Sequence, residues 1–191
     1  KGESLERGGG FLSSLESIIP PQIPKSIKWK VACDVNNPLL GSFGSSNIYG
    51  PQKGASKADI KILEKSLTQF SKVLEKQFMR SIAKIKRGGA AGGTAAGMHG
   101  FFNASLVSGF SILANMVGLE NIIKKSDLIF TAEGKIDKQS TDGKVTGRVA
   151  NLGKKYNVPV VGIAGNIEGP YSKLYEAGFS VFFQYKMAPW I

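Results

Sequence analysis

Several residue types on which enzymes often depend are rare in this 191-residue sequence. Its single cysteine, Cys33, excludes an internal disulfide, and its single histidine, His99, excludes a metal site built on paired histidines. No apolar run reaches the length of a membrane span. We therefore expect a cytoplasmic protein in which Cys33 is a buried structural thiol. His99 is expected on a helix surface or in a satisfied packing role, and base catalysis is the alternative.

Acidic residues are scarce as well, since 14 Asp and Glu stand against 25 Lys and Arg and the formal net charge is +11. Such an excess suits nucleic acid, a membrane surface or anionic metabolites. Several of the lysines lie on a predicted amphipathic helix over residues 56–79, on the side opposite its apolar stripe. That side has no aromatic residues that would stack on bases. We therefore predict a small anionic ligand as partner, with no nucleic acid and no membrane.

Residues 33–41 (CDVNNPLLG), followed by residues 51–55 (PQKGA), have the composition of a loop built around a phosphate. A predicted strand over residues 29–33 carries Asp34 to the carboxyl end of a sheet, where ligands collect in α/β proteins. Proline and glycine then prevent a regular element and leave backbone N–H groups free to face an anion. The alternative is a turn that binds nothing.

Residues 87–97 (RGGAAGGTAAG) hold more glycine than a helix interior normally tolerates, because each glycine costs about 1 kcal/mol relative to alanine there. This cost is offset where glycine allows close approach, either of a phosphate to a glycine-rich turn or of one backbone segment to another. No Gly-Lys-Ser/Thr follows, so the run is not a Walker loop. On the residues alone, tight packing is the favoured interpretation.

Residues 127–144 (DLIFTAEGKIDKQSTDGK) begin as an apolar strand and continue into a predicted loop rich in charge. Acids such as Glu133 and Asp137 at a strand end can hold magnesium through oxygen ligands, and the neighbouring lysines can neutralise phosphate charge. The alternative is a solvated loop in which a serine or threonine caps the next helix.

The patterns predict an α/β protein of two units. Residues 1–118 form one α/β domain that holds the two loops described first, with a helix over residues 11–18 and another through residues 101–110. Residues 119–191 form part of a Rossmann-like domain, a parallel βαβαβ run. Its predicted strands cover residues 128–131, 158–164 and 180–184, and its predicted helices cover residues 144–156 and 171–177.

Three blocks in fixed order resemble the signature blocks of the bacterial glycerate kinase family. They are residues 33–41 with 51–55, residues 89–93 (GAAGG) and residues 133–139 (EGKIDKQ). The sequence departs from the family pattern at Ala132, where glycine is usual, and at Lys135, where arginine is usual. Lysine keeps the charge but loses the planar fork of a guanidinium group.

The resemblance implies a two-domain enzyme that transfers the γ-phosphoryl of ATP to glycerate with Mg²⁺. Members of the family are about twice as long, so we expect a fragment that lacks the N-terminal α/β segment. Activity of the fragment alone and assembly into a homo-oligomer are left open. The alternatives are a non-catalytic kinase-fold protein that binds a nucleotide or a sugar acid, and a fragment with no function of its own.

Phosphoryl transfer asks a protein mainly to position groups and to neutralise charge. We predict Asp34 and Lys53 as catalytic residues. Lys53 would contact phosphate, and Asp34 would hold Mg²⁺ or take the proton of the substrate hydroxyl. Asp137 is the second candidate metal ligand, and turn capping is the alternative for both acids. The other candidates, for substrate or phosphate binding, are Asn37, Gln52, Gly89, Gly92, Gly93, Glu133, Lys135 and Gln139.

Overall fold

The computed structural model describes residues 3–20, 22, 26–137, 140 and 144–185. The chain divides into two compact units, Lys1–Gly109 and Phe110–Ile191. Each unit has an apolar core and a parallel sheet of its own. Within the described ranges, every helix is too short or too polar to cross a membrane.

The first unit is built around a short parallel sheet. Strand β1 (Lys30–Ala32) pairs with strand β2 (Ser105–Val107), and Val31 lies opposite Leu106. Its α-helices are α1 (Ser45–Tyr49), α2 (Lys57–Phe78) and α3 (Thr94–Phe102), and helix α4 (Gly109–Met116) begins where the unit ends. Short segments of 3₁₀ helix cover Gly9–Ser14, Pro51–Lys53 and Ala90–Gly93.

Helix α2 begins where the sequence predicts. The Ser56 hydroxyl accepts a hydrogen bond from the Asp59 N–H at 3.2 Å, and the Asp59 carboxylate accepts one from the Ser56 N–H at 2.9 Å. This reciprocal capping box satisfies two backbone donors that would otherwise have no partner in the helix. Leu74 of this helix is fully buried beside Leu39 and Ala96, so α2 supports both the loop after β1 and helix α3.

Two predicted helices of the first unit are wrong. In place of a helix over residues 11–18, the chain forms the 3₁₀ turns Gly9–Ser14 and then continues without a regular element. In place of one helix through residues 101–110, helix α3 ends and strand β2 intervenes before α4 begins. Helix α3 ends because Asn103 adopts a left-handed conformation (φ 54°), which cannot continue a right-handed helix.

The second unit confirms the predicted parallel βαβαβ run, and with it the α/β fold class. Strands β3 (Ile129–Ile136), β4 (Val160–Ile167) and β5 (Val181–Gln184) form one parallel sheet in the order β3-β4-β5. Helices α5 (Leu119–Lys124), α6 (Val145–Tyr156) and α7 (Tyr171–Glu176) lie between or before the strands in sequence. Buried residues of β3, β4, α6 and α7 form its core, among them Ile136, Ala150, Val160, Ala164 and Leu174.

Strand β3 is longer than predicted, and this corrects the interpretation of the charged segment. The prediction ended the strand at residue 131 and placed a loop after it, but the pairing with β4 continues through Lys135 opposite Asn166 and Ile136 opposite Ile167. Ile136 is fully buried and anchors this extension. Glu133 and Lys135 therefore project from a strand.

Candidate functional site

Asp34 lies where two parallel strands end, as predicted. The Cys33 N–H donates a hydrogen bond to the carbonyl of Val107 at 2.8 Å, which joins the carboxyl ends of β1 and β2. The Asp34 carboxylate faces Gly109 at the start of α4, where a β-carbon would lie 2.8 Å from Oδ1. Asp34 is exposed and makes no hydrogen bond or ion pair with the residues that the structure describes.

Asn37 shapes the loop that follows Asp34. Its Nδ2 donates a hydrogen bond to the carbonyl of Phe43 at 2.9 Å, and its Oδ1 accepts one from the Tyr49 hydroxyl at 2.7 Å. The Asn37 carbonyl also accepts a hydrogen bond from the Gly89 N–H at 2.9 Å. The side chain thus ties the loop to helix α1, and the backbone ties it to the glycine run; contact of Asn37 with substrate stays a prediction.

Helix α2 fixes the same loop through Glu64, which the sequence analysis did not single out. Glu64 Oε1 accepts a hydrogen bond from the Gly41 N–H at 2.6 Å. Gly41 has φ 96°, a conformation that glycine adopts without steric cost. The second oxygen, Oε2, is buried and has no hydrogen-bond partner within the described part of the chain. Helical periodicity gives no signal for this contact, because the loop lies far from Glu64 in sequence.

Lys53 opens onto a cavity of about 320 Å³, which we call the Lys53 cavity. Its polar lining includes Ser45, Ser46 and Tyr49, and Gly92 lies on its wall. Lys53 is exposed and forms no ion pair with the residues described, and Gln52 lies exposed beside it in the same 3₁₀ turn. A lysine and hydroxyl groups on one cavity are the donors that an anionic ligand requires.

Close packing explains most of the glycine run, in agreement with the interpretation that the sequence favours. A β-carbon at Gly89 would lie 2.4 Å from the carbonyl oxygen of Pro38, and one at Gly93 would lie 2.6 Å from Leu39 Cδ1. Gly92 differs, because a β-carbon there would meet nothing within 4 Å. Its φ is 69°, so the backbone at Gly92 is both left-handed and open to the cavity.

Charged side chains of the second unit form what we call the carboxylate network. Lys144 Nζ lies 3.4 Å from Glu133 Oε1 and 3.9 Å from Asp137 Oδ1. Lys135 Nζ lies 3.8 Å from Asp137 Oδ2 and 2.9 Å from Glu168 Oε2. The hydrogen bond between Lys135 and Glu168 raises the pKa of Lys135 and lowers the pKa of Glu168. The Asp137 carboxylate is thus shared between two lysines, and both N···O distances are near the upper limit for an ion pair.

Two buried hydroxyl groups orient the acids of this network. The Thr146 hydroxyl donates a hydrogen bond to Glu133 Oε2 at 2.9 Å, and the Ser140 hydroxyl donates a longer one, at 3.4 Å, to the same oxygen. The Ser140 N–H donates to Asp137 Oδ1 at 3.2 Å, and the Ser140 Oγ accepts from the Asp137 N–H at 3.1 Å. Asp137 therefore caps a turn, the alternative role that the sequence left open, and Gln139 lies outside the described residues.

The described residues contain no group of three or more His, Cys, Asp or Glu side chains that could hold a metal ion. Mg²⁺ needs fewer, because it is usually bound by one or two carboxylates together with substrate phosphates and water. Asp34 fits this requirement, since its carboxylate is exposed and unpaired among the residues described. Asp137 fits it less well, because it is already shared between Lys135 and Lys144.

The expected burial of Cys33 is confirmed, and His99 makes one contact that fits the expected packing role. Cys33 is only 3% exposed, and burial raises the pKa of its thiol despite the nearby Arg87 cation, so the thiol remains protonated at neutral pH. His99 Nδ1 lies 2.9 Å from the carbonyl oxygen of Ala104, a contact in which only the nitrogen can donate. This hydrogen bond ties the imidazole to a residue just beyond the end of helix α3, and a packing role for His99 stays a prediction.

The sequence profile of the glycerate kinase family matches residues 1–189. The chain belongs to the glycerate kinase family. It is 38% identical over 186 residues to the glycerate kinase of Halalkalibacterium halodurans and 40% identical over 186 residues to the glycerate 2-kinase of Escherichia coli K12. Each alignment covers 95% of this chain and 49% of the relative, so the chain spans about half the length of these proteins.

A solved structure agrees with this assignment. The crystal structure of a Salmonella typhimurium LT2 protein described as a glycerate kinase 2 matches with a TM-score of 0.80 and 35% sequence identity. The match covers 97% of this chain and 48% of that protein. The resemblance drawn from the signature blocks is thus confirmed at the level of the family and the fold.

Proposed function

We propose that this chain is part of a kinase that transfers the γ-phosphoryl of ATP to a hydroxyl of glycerate, giving phosphoglycerate and ADP. Membership of the glycerate kinase family supports this proposal. The observation that carries it is the Lys53 cavity, in which a lysine from one signature block and Gly92 from another line the same space. A cytoplasmic location is part of the proposal, and the free, buried Cys33 is compatible with a reducing compartment.

Lys53 neutralises charge on the transferring phosphoryl group in this proposal. Such a transition state needs positioned charge more than covalent chemistry, so Lys53, which has no competing ion pair within the described part of the chain, suits the task. The hydroxyl groups of Ser45 and Ser46 line the same cavity and are further candidates for phosphate contact. Gln52, Gly89, Gly92 and Gly93 stay proposals for substrate or phosphate binding.

Asp34 holds Mg²⁺ in the proposed site or accepts the proton of the attacking hydroxyl. Mg²⁺ held there would supply positive charge to neutralise the charge that develops on the phosphate oxygens. Both roles need a carboxylate that is open to a ligand, and the exposure of Asp34 at the strand ends supplies one.

The carboxylate network is proposed to bind the organic acid or the metal. Glu133, with its orienting hydroxyl groups, is the candidate for glycerate hydroxyls, and Lys135 is the candidate for the carboxylate of glycerate or for phosphate. Asp137 stays the second candidate ligand of Mg²⁺, and Gln139 stays a candidate for orienting substrate.

The test of the proposed function is a coupled assay of ADP release by the complete gene product with D-glycerate, ATP and Mg²⁺. ADP release must depend on glycerate, and ³¹P NMR of the product identifies which hydroxyl carries the phosphate. ADP release that is independent of glycerate would contradict the proposal. ATP binding without any turnover would instead support the second candidate, a non-catalytic binding protein, for which Lys135 in place of the usual arginine is the motivating observation.

A further inference from the structure

We infer that the purine ring of the nucleotide binds in an apolar cavity that adjoins the Lys53 cavity; this inference rests on the proposed function. The apolar cavity has a volume of about 340 Å³, and Phe70, Gly97, Met98 and Phe101 contribute to its lining. Its volume lies within the range of about 300–1,000 Å³ that is typical of small-molecule sites. An aromatic and thioether lining suits a flat, polarisable ring.

The two cavities share part of their walls. Leu12, Leu67 and Gly92 line both of them. Both cavities are lined mostly by apolar groups, but they differ in their polar side chains, because Lys53, Ser45, Ser46 and Tyr49 line one cavity whereas the hydroxyl-bearing residue of the other is Thr94. A nucleotide is divided in the same way, with an anionic polyphosphate at one end and an aromatic base at the other. Glycerate is a small polar anion with no apolar part, so it does not account for the apolar cavity.

The backbone between the cavities is shaped for close approach of a ligand. Ala91, Gly92 and Gly93 all adopt left-handed conformations, with φ values of 50°, 69° and 100°. At Gly92 the space that a side chain would occupy is open, and this residue lies on both cavities. A ligand that extends from one cavity into the other therefore passes Gly92 without meeting a side chain there.

The aromatic wall of the apolar cavity is held in place by other rings. The Phe101 ring centroid lies 6.3 Å from that of Phe70 and 5.4 Å from that of Phe78. It also lies 5.9 Å from the centroid of Phe102, which stacks on Trp29 at 5.1 Å. Phe101 is thus fixed by neighbours on helices α2 and α3, and a bound base would meet a preorganised surface.

The experiment compares ATP with inorganic tripolyphosphate, which has the anionic part of the nucleotide but no base. Both are titrated with Mg²⁺ into the complete gene product by isothermal titration calorimetry. The test variant is Gly97→Ala, which adds a methyl group at the apolar cavity. A β-carbon there would make an ordinary contact of 3.5 Å with Phe70, and alanine favours the helix over glycine, so the fold should be retained.

The matched control is Gly10→Ala, the same change at a residue that lines neither cavity. A β-carbon at Gly10 would lie 3.6 Å from Ile62, again an ordinary contact. We expect Gly97→Ala to raise the Kd for ATP at least about fivefold and to leave the Kd for tripolyphosphate unchanged. Gly10→Ala should change neither. If Gly97→Ala fails to fold, Met98→Ala serves instead, since loss of the thioether should also weaken ATP binding selectively.

Three results would overturn the inference: no binding of ATP by the wild-type protein, equal effects of the substitution on both ligands, or no effect on either. The proposed function is tested separately, by measuring whether the protein forms phosphoglycerate. Phosphoglycerate formation with an unchanged ATP affinity in Gly97→Ala would keep the kinase and remove the purine site. A selective loss of ATP affinity in a protein that forms no phosphoglycerate would keep the purine site and remove the kinase.

Discussion

The candidate site residues of the two units include acids and lysines, but the units differ in whether these side chains form ion pairs. In the first unit, Asp34 and Lys53 are exposed and form no ion pairs with the residues that the structure describes. In the second unit, Glu133, Lys135 and Asp137 are held by ion pairs within the carboxylate network. An unpaired lysine beside a cavity can meet the charge of a ligand without breaking a contact. A paired one must exchange one partner for another, so the first unit is the better candidate for the first phosphate contact.

The units also differ in how their chains are packed around these charges. The loop after β1 is held from two sides, by the carboxylate of Glu64 and by the close approach of Gly89 to the carbonyl of Pro38. In the second unit, a β-carbon at Gly134, next to Glu133, would meet nothing within 4 Å. The loop after β1 is thus held by hydrogen bonds and by close packing, whereas Glu133 and its neighbours are held by hydrogen bonds and ion pairs.

The largest effect on stability is expected when glycine is replaced by alanine at a closely packed position of the first unit, compared with an open position of the second. Gly89→Ala places a β-carbon 2.4 Å from a backbone oxygen, which forces the chain to shift and should lower the free energy of unfolding by about 1–3 kcal/mol. Gly134→Ala enters open space and should change it by no more than about 0.5 kcal/mol. Urea denaturation of both variants measures the difference, and equal losses would show that packing does not distinguish the units.

A smaller effect is expected at the contact between Glu64 and Gly41. Glu64→Ala removes an acceptor from a solvent-accessible N–H, so the free energy of unfolding should fall by about 1 kcal/mol. Glu64→Gln retains a carbonyl oxygen and should recover part of the loss. The matched control is Glu75→Ala, which removes an exposed acid from the same helix. A loss at Glu75→Ala as large as that at Glu64→Ala would argue against an anchoring role for Glu64.

The smallest effect is expected at the exposed pair of Lys135 and Glu168. The pKa of Glu168 is lowered in the folded state, so its contribution to stability exists above the ordinary glutamate pKa and is lost as the pH falls through the folded pKa. The pKa of Lys135 is raised, so its contribution exists below the ordinary lysine pKa and is lost as the pH rises through the folded value.

The change that tests this pH dependence is Glu168→Gln. Its Tm should lie slightly below that of the wild type at neutral pH, and the two should converge in acid, where Glu168 is protonated in both states. A difference in Tm that persists unchanged in acid would mean that the ion pair is not its source.

The parts of the fold that local pattern determines were predicted from the sequence. The start of helix α2 follows from Ser56 and Asp59 at capping-box spacing, and the parallel sheet of the second unit follows from alternating strand and helix patterns. Strand β2 was missed because its three residues fell inside the helix predicted through residues 101–110, and only pairing with β1 defines them as a strand. The extension of β3 was missed because Gly134 and Lys135 have loop character, and only pairing with β4 keeps them in the strand.

The candidate site shows the same division. Its residue types were evident from the signature blocks, and the strand end at Asp34 was predicted. The meeting of Lys53 with Gly92 at one cavity depends on tertiary packing, for which the sequence offers no period. The same holds for Glu64 and Gly41, which hydrogen bonding brings together across the loop. Contacts between residues that are distant in sequence could therefore not be predicted from local sequence patterns.

The most direct test of Lys53 as the phosphate contact compares Lys53→Ala with Lys57→Ala in the complete gene product. Lys57 is also exposed, begins helix α2 and lines neither cavity. In the coupled ADP-release assay with D-glycerate, ATP and Mg²⁺, Lys53→Ala should lower kcat/KM at least about tenfold, or about 1.4 kcal/mol of transition-state stabilisation, with an unchanged Tm. Lys57→Ala should retain the wild-type value. Equal kcat/KM in the two variants and the wild type would contradict a role for Lys53 in phosphoryl transfer.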